Sequence, residues 1–159
     1  MNLTAMGILN WDPTSPRVRQ RKGFLILRCG EGWHDLYHYY LQRHAEGEWR
    51  KVVDEARIIN SQFVDRTPRL ALMRPEMVHP NWGPHITVIR GEKCSQSHLW
   101  GKGEGQELEF TFSPDLRTNG KHWWLPISCP KLHEIRKAMG LNPNPHVPFH
   151  MTVGVIPAE

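Results

Sequence analysis

The chain has 159 residues, a formal net charge of +4 and ten histidines, a length that supports one hydrophobic core rather than two. Apolar residues at 39% and charged residues at 23% sit near globular averages, which excludes long disorder, and no apolar run approaches the roughly 18 residues of a membrane span. The mild basicity favours phosphate-bearing partners, while Cys29, Cys94 and Cys129 include no Cys-x-x-Cys pair and point to inert free thiols.

Residues 1–16, with Asp12-Pro13-Thr14-Ser15-Pro16, show no apolar period and are expected to form a poorly ordered lead-in to a single domain over 1–159. Met1 to Gly7 lacks the features of a secretory signal, so a cytoplasmic location is expected. Arg17, Arg19, Arg21 and Lys22 then lead into Phe24-Leu25-Ile26-Leu27-Arg28, bounded by Gly23 and Gly30, which reads as a buried strand with a basic entry. From Trp33 to Ala45, Leu36, Tyr37, Tyr40 and Leu41 recur at helical spacing, and Trp49, Val52, Val53, Ala56 and Ile59 predict a second helix ending near Asn60.

Strands follow at Leu70–Met73, His85–Arg90, Glu107–Phe112 and His122–Ile127, the third with the clearest period of two. Pro130 to Met139 reads as a helix with Leu132, Ile135 and Met139 on one face and Gly140 as its stop. The Pro-rich stretch Asn142 to Pro148 forces an extended approach to a last strand, Phe149–Ile156. Strands and helices mix without strict βαβ alternation, so the fold class is α+β.

The chemistry-bearing signal is a repeat. His85-Ile86-Thr87-Val88 returns 65 residues later as His150-Met151-Thr152-Val153, against roughly 0.02 such strings expected by chance from this composition. Alternation along a strand puts His85 with Thr87, and His150 with Thr152, on one face, and Ile86, Val88, Met151 and Val153 on the other. If the two strands lie close in one sheet, two imidazoles and two hydroxyls converge on a spot suited to a tetrahedral anion such as phosphate.

The doubled His-x-Thr-Val resembles the signature of the 2H phosphoesterase superfamily, which includes RNA-end 2′,3′-cyclic phosphodiesterases, LigT-like proteins and phage anti-CBASS nucleases that cut cyclic oligonucleotide alarms. The resemblance covers residues 84–156 and implies a bilobal, pseudo-two-fold α+β fold, with antiparallel sheets around a central cleft and helices on the outer faces. It implies that His85 and His150 are the general acid and base, and that Thr87 and Thr152 hydrogen-bond the non-bridging phosphate oxygens. The implied substrate is a ribonucleotide phosphodiester, first a cyclic oligonucleotide and alternatively an RNA-end 2′,3′-cyclic phosphate, with neither metal nor cofactor. Its partner would be a nucleotide or short RNA, with no membrane and no obligatory protein partner. The small size, high tryptophan content and Pro-rich second motif are phage-like, which would put the protein in a host cytoplasm.

Substrate contacts beyond the phosphate are expected from Trp82, which can stack a base, and from Arg90 and Phe149. A non-catalytic nucleotide- or RNA-binding module is the alternative of another class. His34-Asp35-Leu36-Tyr37-His38 sets two imidazoles at i and i+4 on a helix, the spacing of a zinc hydrolase, but without a third ligand at a diagnostic position it reads as a solvated stripe.

Overall fold

A computed structural model describes residues 3–15, 19–43 and 78–155, with the side chains of 38–43 excepted. Its strands are β1 (Leu3–Trp11), β2 (Phe24–Arg28), β3 (His85–Arg90), β4 (Glu107–Phe112), β5 (Arg117–Thr118), β6 (His122–Ser128) and β7 (His150–Val155). Among the described residues the α-helices are α1 (Gly32–Arg43) and α2 (Pro130–Ala138). The expected helix over Trp49–Asn60, the expected strand Leu70–Met73 and Ile156 lie outside the described residues.

The architecture is mixed α and β and mostly strand, as expected, but the strands do not form separate sheets. These strands pair antiparallel, in the order β4-β1-β2-β3-β7-β6-β5, and a further β4–β6 pairing closes six of them into a barrel. Among the described residues the same order of main elements occurs twice: two antiparallel strands, a helix, then a strand bearing a His-x-Thr-Val motif. The first pass is β1-β2-α1-β3 and the second β4-β6-α2-β7, joined through the β1–β4 and β3–β7 pairs.

Residues 3–11 correct the expectation of a poorly ordered lead-in. This stretch is β1, hydrogen-bonded on both sides, to β2 and to β4. It escaped notice because apolar side chains occupy both faces: Leu9 and Trp11 are buried, while Met6 and Ile8 are about half exposed, so no period of two can show. Gly7 faces Leu27, and a Cβ there would lie 2.5 Å from Leu27 Cγ, so the β1–β2 approach requires glycine at this position.

One face of the sheet is apolar. Leu25, Leu27, Ile86, Val88, Ile89, Phe110, Trp123, Leu125, Met151 and Val153 form one cluster with Tyr37 of α1 and Leu132 of α2, each fully buried aliphatic chain contributing about 1.5–3 kcal/mol. On α1 the buried face is Trp33, His34 and Tyr37 rather than the expected Leu36, which is 57% exposed. On α2 the expected Leu132, Ile135 and Met139 do pack inward, joined by Arg136, which is 2% exposed.

Candidate active site

The two motif strands are neighbours. His85 pairs with Thr152 and Ile86 with Met151, and the same register carried one residue further sets Thr87 opposite His150. Residues directly opposite in an antiparallel pair point to the same face. His85, Thr87, His150 and Thr152 thus form a two-by-two array on the face opposite the apolar core. The histidines are its diagonal corners, a relation that separates residues by roughly 7–8 Å.

Each motif strand carries a bulge at its valine. Against β2, Leu25 pairs with Ile89 and Ile26 with Thr87, leaving Val88 as the extra residue. Against β6, Trp123 pairs with Gly154 and Trp124 with Thr152, leaving Val153 extra. The bulge inverts the alternation beyond it, so that Val88 and Ile89 are both buried in the core. Arg90 therefore returns to the histidine face, opposite Phe24. Parity along a regular strand would have put it on the other side.

A helix side chain caps each bulged valine carbonyl. The Arg136 guanidinium of α2 donates to Val88 O at 2.9 Å, and His34 of α1 lies 2.9 Å, through Nδ1, from Val153 O. Arg136 is in turn held by a bidentate pair with Glu92, at 2.7 and 2.8 Å, and by Asn142 O. Its hydrogen bonds hold the Glu92 carboxyl below the usual carboxylate range.

The catalytic candidates are held alike. His85 Nδ1 is 2.7 Å from Gly83 O and His150 Nδ1 is 2.9 Å from Pro148 O, in each case the carbonyl two residues back. With Nδ1–H donating, the neutral ring presents a bare Nε2. A tryptophan stands edge-on to each ring: Trp82 at 5.2 Å from His85 and Trp124 at 5.9 Å from His150. The buried Trp82 Nε1–H has no hydrogen-bond partner among the described residues.

Electrostatics separate the two histidines. Burial pushes His85 down to about 4, with the Gly83 carbonyl opposing and His150, Arg90 and Arg28 adding to the fall. Burial also lowers His150, the Pro148 carbonyl opposing and Arg90 adding. The charges are unevenly placed. Arg28 lies opposite His85, whereas the residue opposite His150 is Pro126.

Of the expected substrate contacts, Trp82 and Arg90 reach this face and Phe149 does not. Phe149 is 7% exposed and packs in the core, edge-on to His133 at 4.8 Å, because it precedes His150 and takes the opposite side of the chain. Arg28, Trp124 and His122 are additions. Burial lowers His122, with Lys121, His150 and Arg90 contributing. The alternation His122/Trp124 against Trp123/Leu125 held the signal that assigns Trp123 to the core. The register that brings Arg28 to His85 had no local signal. Burial pushes all three thiols up, in line with the inert cysteines expected. No family model, curated protein or solved structure matches this chain.

Proposed function

We infer that the protein is a phosphodiesterase of the 2H type, cleaving a ribonucleotide phosphodiester with His85 and His150 as its acid–base pair. The carrying observation is the diagonal placement of two imidazoles, each with Nδ1 on a backbone carbonyl and Nε2 left bare, and a threonine at each remaining corner of the array. The doubled strand–strand–helix–strand order supports a pseudo-two-fold relation between the halves, as that superfamily has.

The chemistry follows from the array. A phosphoryl group between the diagonal rings meets one Nε2 on the side of the attacking oxygen and the other on the side of the leaving oxygen. His85, the more strongly depressed of the two, is the ring that stays neutral and takes the proton from water or a ribose 2′-OH. His150 carries a proton once the phosphate's negative charge restores it, and delivers that proton to the departing oxygen. Thr87 and Thr152 donate to the non-bridging oxygens as charge builds on the phosphorane. Arg28 and Arg90 hold a positive field over the same spot, and Trp82 and Trp124 offer ring surface to flanking bases. No step calls for a metal ion.

The favoured substrate is a cyclic oligonucleotide of the kind that serves as an immune signal; an RNA-end 2′,3′-cyclic phosphate is the alternative. A panel of cyclic di- and trinucleotides and of linear RNAs ending in 2′,3′-cyclic phosphate, incubated with and without chelator, decides between them. The expected result is chelator-resistant cleavage of one class, with product mass distinguishing attack by 2′-OH from attack by water. Binding without turnover across the whole panel contradicts the reading and leaves a nucleotide-binding module.

A further inference from the structure

Behind the motif strands lies a second cluster of chemical groups that the acid–base array does not use. Val78 pairs with Val155 through two backbone hydrogen bonds, 2.9 and 3.0 Å, which pins the segment entering the first motif to the end of β7. His79 thereby stacks on His34 of α1, ring centroids 3.7 Å apart. Its Nδ1 meets the Glu31 carboxylate and its Nε2 is 3.7 Å from Asp35 Oδ1. One ligating atom from each of His34, Asp35 and His79 lies within 4.8 Å of the others.

We propose that His34, His79 and Asp35 form a binding site for a transition-metal dication, zinc being the representative ion. Two imidazoles and one carboxylate are a donor set that such ions take, with a water completing the shell. The groups around the cluster suit such an ion. His34 Nδ1 is engaged with the Val153 carbonyl, so the ion would be taken through Nε2. His79 Nδ1 lies against the Glu31 carboxylate but makes no hydrogen bond of regular geometry; an ion taken by Nε2 would leave Nδ1–H to donate to that carboxylate, the arrangement that orients metal-bound histidines. Sequence spacing concealed the set, because the third ligand arrives from 44 positions along the chain, on the segment held by Val78. The side chain of His38, the second imidazole of the i, i+4 spacing, lies outside the described residues.

The ion at this site is structural, and it braces both motifs. Through His34 it bears on the Val153 bulge of β7. Through Glu31 it bears on the turn before β3, where a Cβ on Gly83 would lie 2.9 Å from Glu31 Oε1 and where φ is +70°, a backbone state glycine alone adopts freely. Gly83 O is the acceptor that orients His85. The proposal stands independently of the phosphodiesterase reading, since metal binding and turnover are separate readouts.

The test uses the full chain, stripped with chelator and titrated with Zn²⁺ by calorimetry and with Co²⁺ by visible absorption, beside His79→Ala, Asp35→Asn and Glu31→Gln. The expected result is one equivalent bound, with affinity lowered at least about tenfold in each variant, and a melting temperature that rises with Zn²⁺ in the parent but not in His79→Ala. Because the chain has ten histidines, equal zinc binding by the parent and His79→Ala would mean adventitious sites and overturn the proposal. So would the absence of binding, which would leave His79 as a histidine clasped by two carboxylates. Loss of turnover with zinc binding intact would bear on the phosphodiesterase reading alone.

Discussion

The two motif strands share a backbone plan and differ in what surrounds it. In β3 the histidine is 8% exposed, faces Arg28 across the strand pair, and its bulge is capped by a buried arginine locked to Glu92. In β7 the histidine is half-buried, faces Pro126, and its bulge is capped by a histidine from α1. The difference teaches how one repeated tetrapeptide supplies two unlike groups. Equivalent carbonyl contacts set each ring alike on its own strand, while unequal burial and charge give them unequal proton affinities, as the proposed acid–base pair requires.

The sharpest way to break this comparison is to remove each ring. His85→Ala and His150→Ala are each expected to lower kcat by about 10²–10⁴-fold on whichever substrate the panel identifies, with circular dichroism unchanged. Their double mutant should be little worse than either single one, since the rings act as a unit. A full sum of the two losses would contradict that.

The two carbonyl caps should differ in stability. Arg136→Met removes a buried guanidinium that serves Val88 O, Asn142 O and Glu92 at once, and is expected to cost about 3 kcal/mol in urea unfolding, the low end for a broken buried pair because Glu92 keeps access to water. His34→Phe takes the donor from the Val153 carbonyl and, in zinc-free protein, should cost about 1–2 kcal/mol. Equal losses would show that the caps are equivalent.

The threonines test the symmetry of the array. Thr87→Val and Thr152→Val are each expected to lower kcat by roughly a hundredfold, about 3 kcal/mol in the barrier, with stability nearly unchanged. A loss confined to one of them would assign the phosphate to one strand.

A last effect is expected on stability against pH. A histidine held at about 4 in the folded chain and near 6.5 in the unfolded one binds protons preferentially in the unfolded state between those values. Its contribution is therefore complete above pH 6.5 and is lost as pH falls toward 4. His85→Gln should flatten that acid slope, and His150→Gln should flatten it less. The reverse ranking would mean that burial does not separate the two rings.

Which motif side chains share a face was more legible in the sequence than the barrel that carries them. His85, Thr87, His150 and Thr152 were readable because a strand's alternation is local and the motif repeats. The motif strand His85–Arg90 and the strand Glu107–Phe112 were read to their ends for the same reason. The pairing of the motif strands depends on register between segments about 65 residues apart, for which the chain carries no local mark. The bulges were hidden because Val88-Ile89 and Val153-Gly154 look like ordinary apolar continuation, and with them went the placement of Arg90. β1 was hidden because Met6 and Ile8 put apolar side chains on the exposed face. Among the described residues no helix is long and apolar enough to cross a membrane.

The central claim is that one phosphoryl group touches both rings at once, and ring-nitrogen NMR of the full chain titrated with inorganic phosphate tests it most directly. The account predicts that the Nε2 resonances of His85 and His150 shift together along one saturation curve, with both pKa values rising in the complex. Shifts confined to one ring, or two rings saturating at different phosphate concentrations, would contradict it.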